Sequence, residues 1–502
     1  MKHILYGLVL MIVGCMASGC SDDDKFSTSS SDVLTFEFDT ISFDTVITTI
    51  GSPTKRLKIF NHSDKGIRIL TAGLTSGGSS GFRFNIDGHS GPVLEDIEIQ
   101  KHDSLFVFAD VIVPAQDSET PVFIKDELNL TLENGVTQHV VLTAYGQDAI
   151  IMHAPVIRTD TELGDVRPYI IYDSLVVARG ATLTLSEGTT LCFHGRSGMN
   201  VHGQLICNGT QEHPVVFRCD RTDHMFSYLP YDRLDAQWGG ITLCPESSEN
   251  LFDHVDIHGG SFGINCPLSV VEGYKFYIQN SVIHNVAHDG LRCRYTLGQV
   301  LNSQITNAGG NCVHLDGGSY NFVHTTIGQF YPWDGAHGSA LYFSNVSNDT
   351  ISPLEQANFY NCLITGSSTD EIIGNNLKDT DAAFNALFDG CLINIHLLGT
   401  EPDYITQMFS KSKNETGDVR NWKKDSNGAY SDEIIWGRKN FTEINNDIYY
   451  YDFGLSEQSN ARGIGNSEYV KYCPTDLNGA PRPEINPDAG CYQFIPSETS
   501  EK

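Results

Sequence analysis

Positive charge is scarce in this 502-residue chain: 32 Lys and Arg stand against 62 Asp and Glu, a net charge of −30. So acidic a surface repels phosphate backbones, which excludes nucleic acid as a partner. Long apolar runs are missing as well. Beyond the first 20 residues, no stretch approaches the roughly 18–20 apolar residues that cross a bilayer, so the chain is not a polytopic membrane protein. No CxxC or Cys/His zinc spacing occurs, and neither a metal nor a cofactor is expected. No long segment carries a 3.6-residue hydrophobic period. What remains is material for β-structure: 40% hydrophobic residues in many short Val/Ile/Leu runs, broken by 47 glycines. That content supports a sizeable core and rules out wholesale disorder.

Residues 1–20 read as a secretory signal, with Lys2 ahead of an apolar run from Ile4 to Val13 and small residues after it. Cys20 follows Ala17-Ser18-Gly19 and resembles the lipidated cysteine of bacterial lipoproteins. Cys15, after Ile12-Val13-Gly14, fits the same pattern. Cys20 is preferred because Ser21-Asp22-Asp23-Asp24 follows, a run similar to the surface-export signal of Bacteroidota lipoproteins. The resemblance implies a signal peptide at 1–19, an acidic, serine-rich tether at 20–32, and a lipid anchor in the outer membrane with the rest of the chain facing outward.

Residues 33–154 alternate apolar and polar in short runs such as Arg56-Leu57-Lys58-Ile59-Phe60 and Leu105-Phe106-Val107-Phe108, as a β-sandwich does. The stretches KRLKIFNHSDKGIRIL and DSLFVFADVIVP resemble bacterial immunoglobulin-like domains of surface proteins. From 167 the character changes. Three-residue apolar centres, from Tyr169-Ile170-Ile171 to Val215-Val216-Phe217, follow each other with glycines between most of them, too short for hairpins and lacking the helices of an α/β fold. Ile257, Ile283, Ile305, Ile327 and Ile364 then recur at spacings of 26, 22, 22 and 37, each with His or Asn three residues earlier: His254, Asn280, Asn302, His324 and Asn361. Stacked coils produce such a repeat, since a corner amide can bond its neighbour about 4.8 Å above.

The run LVVARGATLTLSEGTTLCFHGRSGMNVHGQLICNGTQEHPVVF and the later Trp238-Gly239-Gly240-Ile241 resemble the opening coils of bacterial right-handed parallel β-helix proteins. Asp476-Leu477-Asn478-Gly479-Ala480-Pro481-Arg482 and Asp488-Ala489-Gly490-Cys491-Tyr492 are similar to an end segment of that family. The implied fold is all-β: an immunoglobulin-like sandwich at 33–154, a β-helix of about ten coils at 155–400, an irregular insertion at 401–449 with a short helix near 402–412, and a closing segment at 450–497. Cys491 replaces the small residue usual before that tyrosine, consistent with a Cys473–Cys491 disulfide.

Enzymes that use this scaffold on polysaccharides need paired aspartates, or a Lys or Arg base with carboxylate-held calcium. No Asp-Asp pair and no Asn-Thr-Asp triplet occurs between 160 and 376. Five of the 18 histidines (His284, His288, His314, His324 and His337) do fall on the central coils. In the repeat register Asp289 and Asn311 share a corner, Arg292 stacks on His314, and Arg294 stacks on Asp316. With His288 and the nearby Trp333, these residues form a candidate glycan-binding face, matched to sugars by aromatic stacking and the planar guanidinium fork. Two readings follow: a non-catalytic surface lipoprotein that binds polysaccharide or another surface protein, or a polysaccharide lyase or glycoside hydrolase.

Overall fold

The computed structural model describes residues 26–333, 335–347, 350–377, 381–396, 403–415 and 437–496, in two units that divide after Asp148. Cys15 and Cys20 lie outside the described residues. The first unit is the expected β-sandwich. One five-stranded sheet runs in the order Leu34–Phe36, Lys55–Asn61, Ser104–Val111, Phe82–Ile86, His89–Ser90; the other in the order Thr40–Ile47, Thr137–Gln147, Val122–Leu132, Ile67–Leu74, Val93–Ile99. Pairing is antiparallel except between Thr40–Ile47 and Thr137–Gln147, which run parallel. The alternation selects the core: Leu57 and Ile59 are buried while Arg56 between sheet neighbours points out. The tether ends sooner than expected. Ser27 already donates its N–H to the Gly66 carbonyl at 2.8 Å, and the Arg68 guanidinium lies 4.2 Å over the Phe26 ring.

The second unit is a parallel β-helix, with 26 short strands in one wound sheet. Each strand pairs with the one a full coil later: Tyr169–Tyr172 with Thr190–Phe193, Leu175–Val177 with Met199–Val201, Thr182–Leu185 with Gln204–Asn208. The isoleucine repeat is the register itself, for Ile257, Ile283, Ile305, Ile327 and Ile364 are direct partners in successive coils and are all buried. Each such burial contributes about 1.5–3 kcal/mol, so the row forms a continuous apolar spine.

The polar residue three before each isoleucine makes a one-residue corner. His254, Asn280, Asn302, His324 and Asn361 all hold φ between 46° and 52°. Asn is the side chain that tolerates this left-handed region best. Asn302 Nδ2 donates to Asn280 Oδ1 at 2.9 Å, Asn280 Nδ2 to Asp253 Oδ1 at 3.0 Å, and Asn361 Nδ2 to His324 Nε2 at 3.0 Å. Burial and the nearby Arg482 charge hold His324 well below the usual imidazole pKa, so it is neutral and can accept that bond.

Four further expectations are corrected. Ile150–His153, inside the range expected for the sandwich, pairs with Tyr169–Tyr172, so the β-helix begins before 155. Its last rung, Lys411–Asn414 on Phe384–Ile393, lies beyond 400, and the hairpin of Phe441–Asn445 with Tyr450–Leu455 straddles the expected 449/450 boundary. The short helix is Asp403–Met408. Cys473 and Cys491 are not bridged: all eleven cysteines of the described residues are free. The Cys491 thiol donates to Thr326 Oγ1 at 3.2 Å, since the closing segment packs along the coils as well as on itself, the Leu477 N–H donating to the Cys491 carbonyl at 2.8 Å. Arg482 Nη2 reaches Asn302 Oδ1 at 2.8 Å, Tyr492 donates its hydroxyl to Gln304 at 2.8 Å, and Asn466 exchanges two bonds with Asn361.

Candidate functional site

With Ile257, Ile283 and Ile305 turned inward, the residues on either side of them must face out. Asp256, Val282 and Gln304 form one outer row, and His258, His284 and Thr306 the next. Strand register therefore brings Asp256, His258 and His284 together. His258 Nδ1 lies 2.8 Å from Asp256 Oδ1, and His284 Nε2 lies 3.3 Å from the same oxygen. The other ring nitrogen of His258 is 3.0 Å from Asp232 Oδ1, which Arg218 grips at 2.7 Å. Asp232 arrives on a turn, Tyr231–Arg233, in an excursion between two coils. Trp238, within the opening-coil motif, anchors this arrangement. Its ring stacks on Phe193 at 4.6 Å and its indole N–H donates to the His258 carbonyl at 2.7 Å. Gly240 follows at φ 90°, where a Cβ would lie 2.3 Å from the Phe262 carbonyl oxygen.

Burial opposes charge on both partners, yet the pairing prevails. The two histidines hold the Asp256 carboxyl far below the usual carboxylate range, and Asp256 with Asp232 pushes His258 up to about 10. Beside this cluster a cleft of about 430 Å³ opens, lined by His284, Arg233, Gln304, Asn307 and three consecutive tyrosines of the C-terminal hairpin, Tyr449 to Tyr451. The Arg233 guanidinium lies 5.5 Å from the centre of the Tyr450 ring. Among the described residues, the buried Tyr451 hydroxyl has no hydrogen-bond partner.

The face expected from the sequence also assembles, but in a different state. His314 sits between two carboxylates, 3.2 Å from Asp289 and 3.1 Å from Asp316. The Asn311 N–H donates to Asp289 at 2.8 Å, and Arg292 stands 3.7 Å from it. Arg294 donates to Ser347 at 3.0 Å, and Ser347 donates to Asp316 at 3.2 Å. These seven residues form one connected network whose polar atoms serve each other. His288 and Trp333 stand apart from it: His288 packs on Phe262 at 4.8 Å, and Trp333 stacks on Tyr449 at 4.3 Å beside the cleft. Near them Asp235 is pushed above the usual carboxylate range by burial, although the Tyr331 hydroxyl donates to it.

Asp232, Asp256, His258 and the tyrosine wall were not singled out from the sequence, although His284 was. The signal for two of them lay in the repeat: the residue after each aligned isoleucine reads His258, His284, Thr306, so the two histidines had to stack. Asp232 and Tyr449 to Tyr451 come from segments outside the repeat, where no period locates them.

No family model matches the sequence, and no curated protein matches it. Among solved structures, the catalytic unit of a GH87 α-1,3-glucanase from Streptomyces thermodiastaticus strain HF3-3 is similar at 11% identity and a TM-score of 0.28, covering 67% of this chain and 73% of that one. The PapD-like domain 7 of human CEP192 is similar at 11% identity and a TM-score of 0.17, covering 26% of this chain and 95% of that domain. At such identities no activity transfers.

The Asp289–His314–Asp316 network makes a pH prediction. Burial works against charge on His314, but hydrogen bonds to Asp289 and Asp316 push it from 6.5 up to about 9. Because the folded value is the higher one, the network's stabilisation is complete below about pH 6.5 and is lost as pH rises through about 9. An NMR titration should find His314 protonated at pH 7.5; a midpoint near 6.5 would refute the ion-paired network.

Proposed function

We propose that this chain is an outward-facing outer-membrane lipoprotein that binds glycan, without cleaving it, in the cleft beside His284. The supporting observation is the lining. A sugar ring offers an apolar face to aromatic rings and hydroxyls to planar polar groups, and the cleft supplies Tyr449 and Tyr450 together with Arg233, Gln304 and Asn307. Against cleavage there, Asp256 and Asp232 are ion-paired and held ionised, whereas a glycosidase acid must keep its proton. One observation favours the enzymatic reading instead: Asp235, with its raised pKa, lies near Tyr449.

Affinity electrophoresis against plant, host and microbial polysaccharides decides between them. Retardation by at least one glycan, weakened about tenfold in Tyr450→Ala, is the expected result. Failure to bind any of them rejects the proposal. New reducing ends or ultraviolet-absorbing products that vanish in Asp235→Asn would establish the enzyme.

The anchor part of the proposal rests on the sequence around Cys20. One acyl chain holds a protein only marginally, whereas two or three retain it stably. Cys20→Ala should release soluble protein or leave the precursor unprocessed. Continued palmitate labelling of that variant in the membrane fraction would move the anchor to Cys15.

A further inference from the structure

We infer that Asp256, His258 and His284 form a binding site for a first-row divalent transition metal of the zinc type. Each residue offers one ligand atom, and the three atoms lie within 4.8 Å of one another. The spacing fits the ion. Bonds of about 2.0–2.1 Å in a tetrahedron put neighbouring ligand atoms about 3.3 Å apart, and the two separations from Asp256 Oδ1 are 2.8 and 3.3 Å. Two imidazoles and one carboxylate suit zinc, iron, cobalt or nickel, and not the all-oxygen shells of calcium or magnesium.

The surroundings match a metal site beyond its ligands. A metal-bound histidine usually donates its second ring N–H to a carboxylate, which fixes the ring and raises its basicity. His258 has that partner in Asp232, at 3.0 Å, and Asp232 is itself held by Arg218. All three ligands stand on the adjacent parallel strands Val255–His258 and Val282–Val286, and the Trp238 indole fixes the His258 backbone. Rigid elements of this kind hold ligand geometry better than loops do. His258 is buried and His284 is partly exposed at the cleft, so the ion would be seated on one side and reachable on the other. The proton on His258 Nδ1 leaves to solvent as the metal takes its lone pair, while Nε2–H stays on Asp232.

This site stands or falls independently of glycan binding. Tag-free full-length protein, stripped with chelator, is titrated with ZnCl2 by calorimetry and with Co²⁺ by visible absorption. The expected result is one tight equivalent of Zn²⁺ and the intense d–d bands of Co²⁺ in a low-coordinate nitrogen–oxygen site. His284→Ala and Asp256→Asn, checked for intact thermal unfolding, should lose that equivalent. Asp232→Asn, which removes only the positioning carboxylate, should weaken it about ten- to a hundredfold. His284→Gln serves where the alanine variant fails to fold. The inference is overturned by the absence of a stoichiometric equivalent in the wild type, or by binding that survives in folded His284 and Asp256 variants.

Discussion

The β-helix depends on one small device, a corner made by a single residue in the left-handed region whose side chain bonds the corner above or below. The chain there must reverse the facing of its side chains without a glycine's freedom at every turn. Asn and His at 254, 280, 302, 324 and 361 accept the positive φ, and side-chain bonds along the stack join Asn280 with Asn302 and His324 with Asn361. At Asn302 the stack is tied from outside, its Oδ1 accepting from Arg482 of the closing segment. The closing segment is thus part of the same device, and its cysteines are used as small buried groups and not as a bridge.

Once the corners are set, everything on the faces follows by addition. A strand entering each corner in the same register turns its isoleucine into the coil and the residues on either side toward the outer face. Two histidines one coil apart must then stack, and an aspartate two residues before one of them must reach both. The same rule places Arg292 on His314 and Arg294 on Asp316. A surface as acidic as this one tolerates clustered carboxylates only where cations stand between them, which is the role of His258 in one cluster and His314 in the other. The clusters differ in access: the His314 network closes on itself, whereas the His284 edge of the other meets an open cleft walled by tyrosines.

The fold was legible because its period is written in residues of strong preference. Ile recurring at 22 to 37 residues with Asn or His three before leaves little else for the chain to do, and the stacking of Asp289, Arg292, His314 and Asp316 could be read from the same alignment. The limits were equally physical. Ile150-Ile151-Met152 is as apolar as any sandwich strand, and only its partner at Tyr169–Tyr172 assigns it to the coils. Asp232, Tyr331 and the tyrosine wall reach the site on excursions whose path no repeat constrains. Trp333 was expected beside the His314 network, but the insertion that carries it turns toward Tyr449 instead. The site is therefore half periodic, from the rungs, and half aperiodic, from the loops laid over them.

The most direct test of this account is a double-mutant cycle on the ladder, Asn280→Ala, Asn302→Ala and both together, measured by reversible denaturant unfolding. Side chains that bond each other across coils are energetically coupled, so the double variant should lose less stability than the sum of the singles, by at least about 0.5 kcal/mol. Strict additivity would mean that the corner amides act alone, and would contradict the ladder as the element that sets the register.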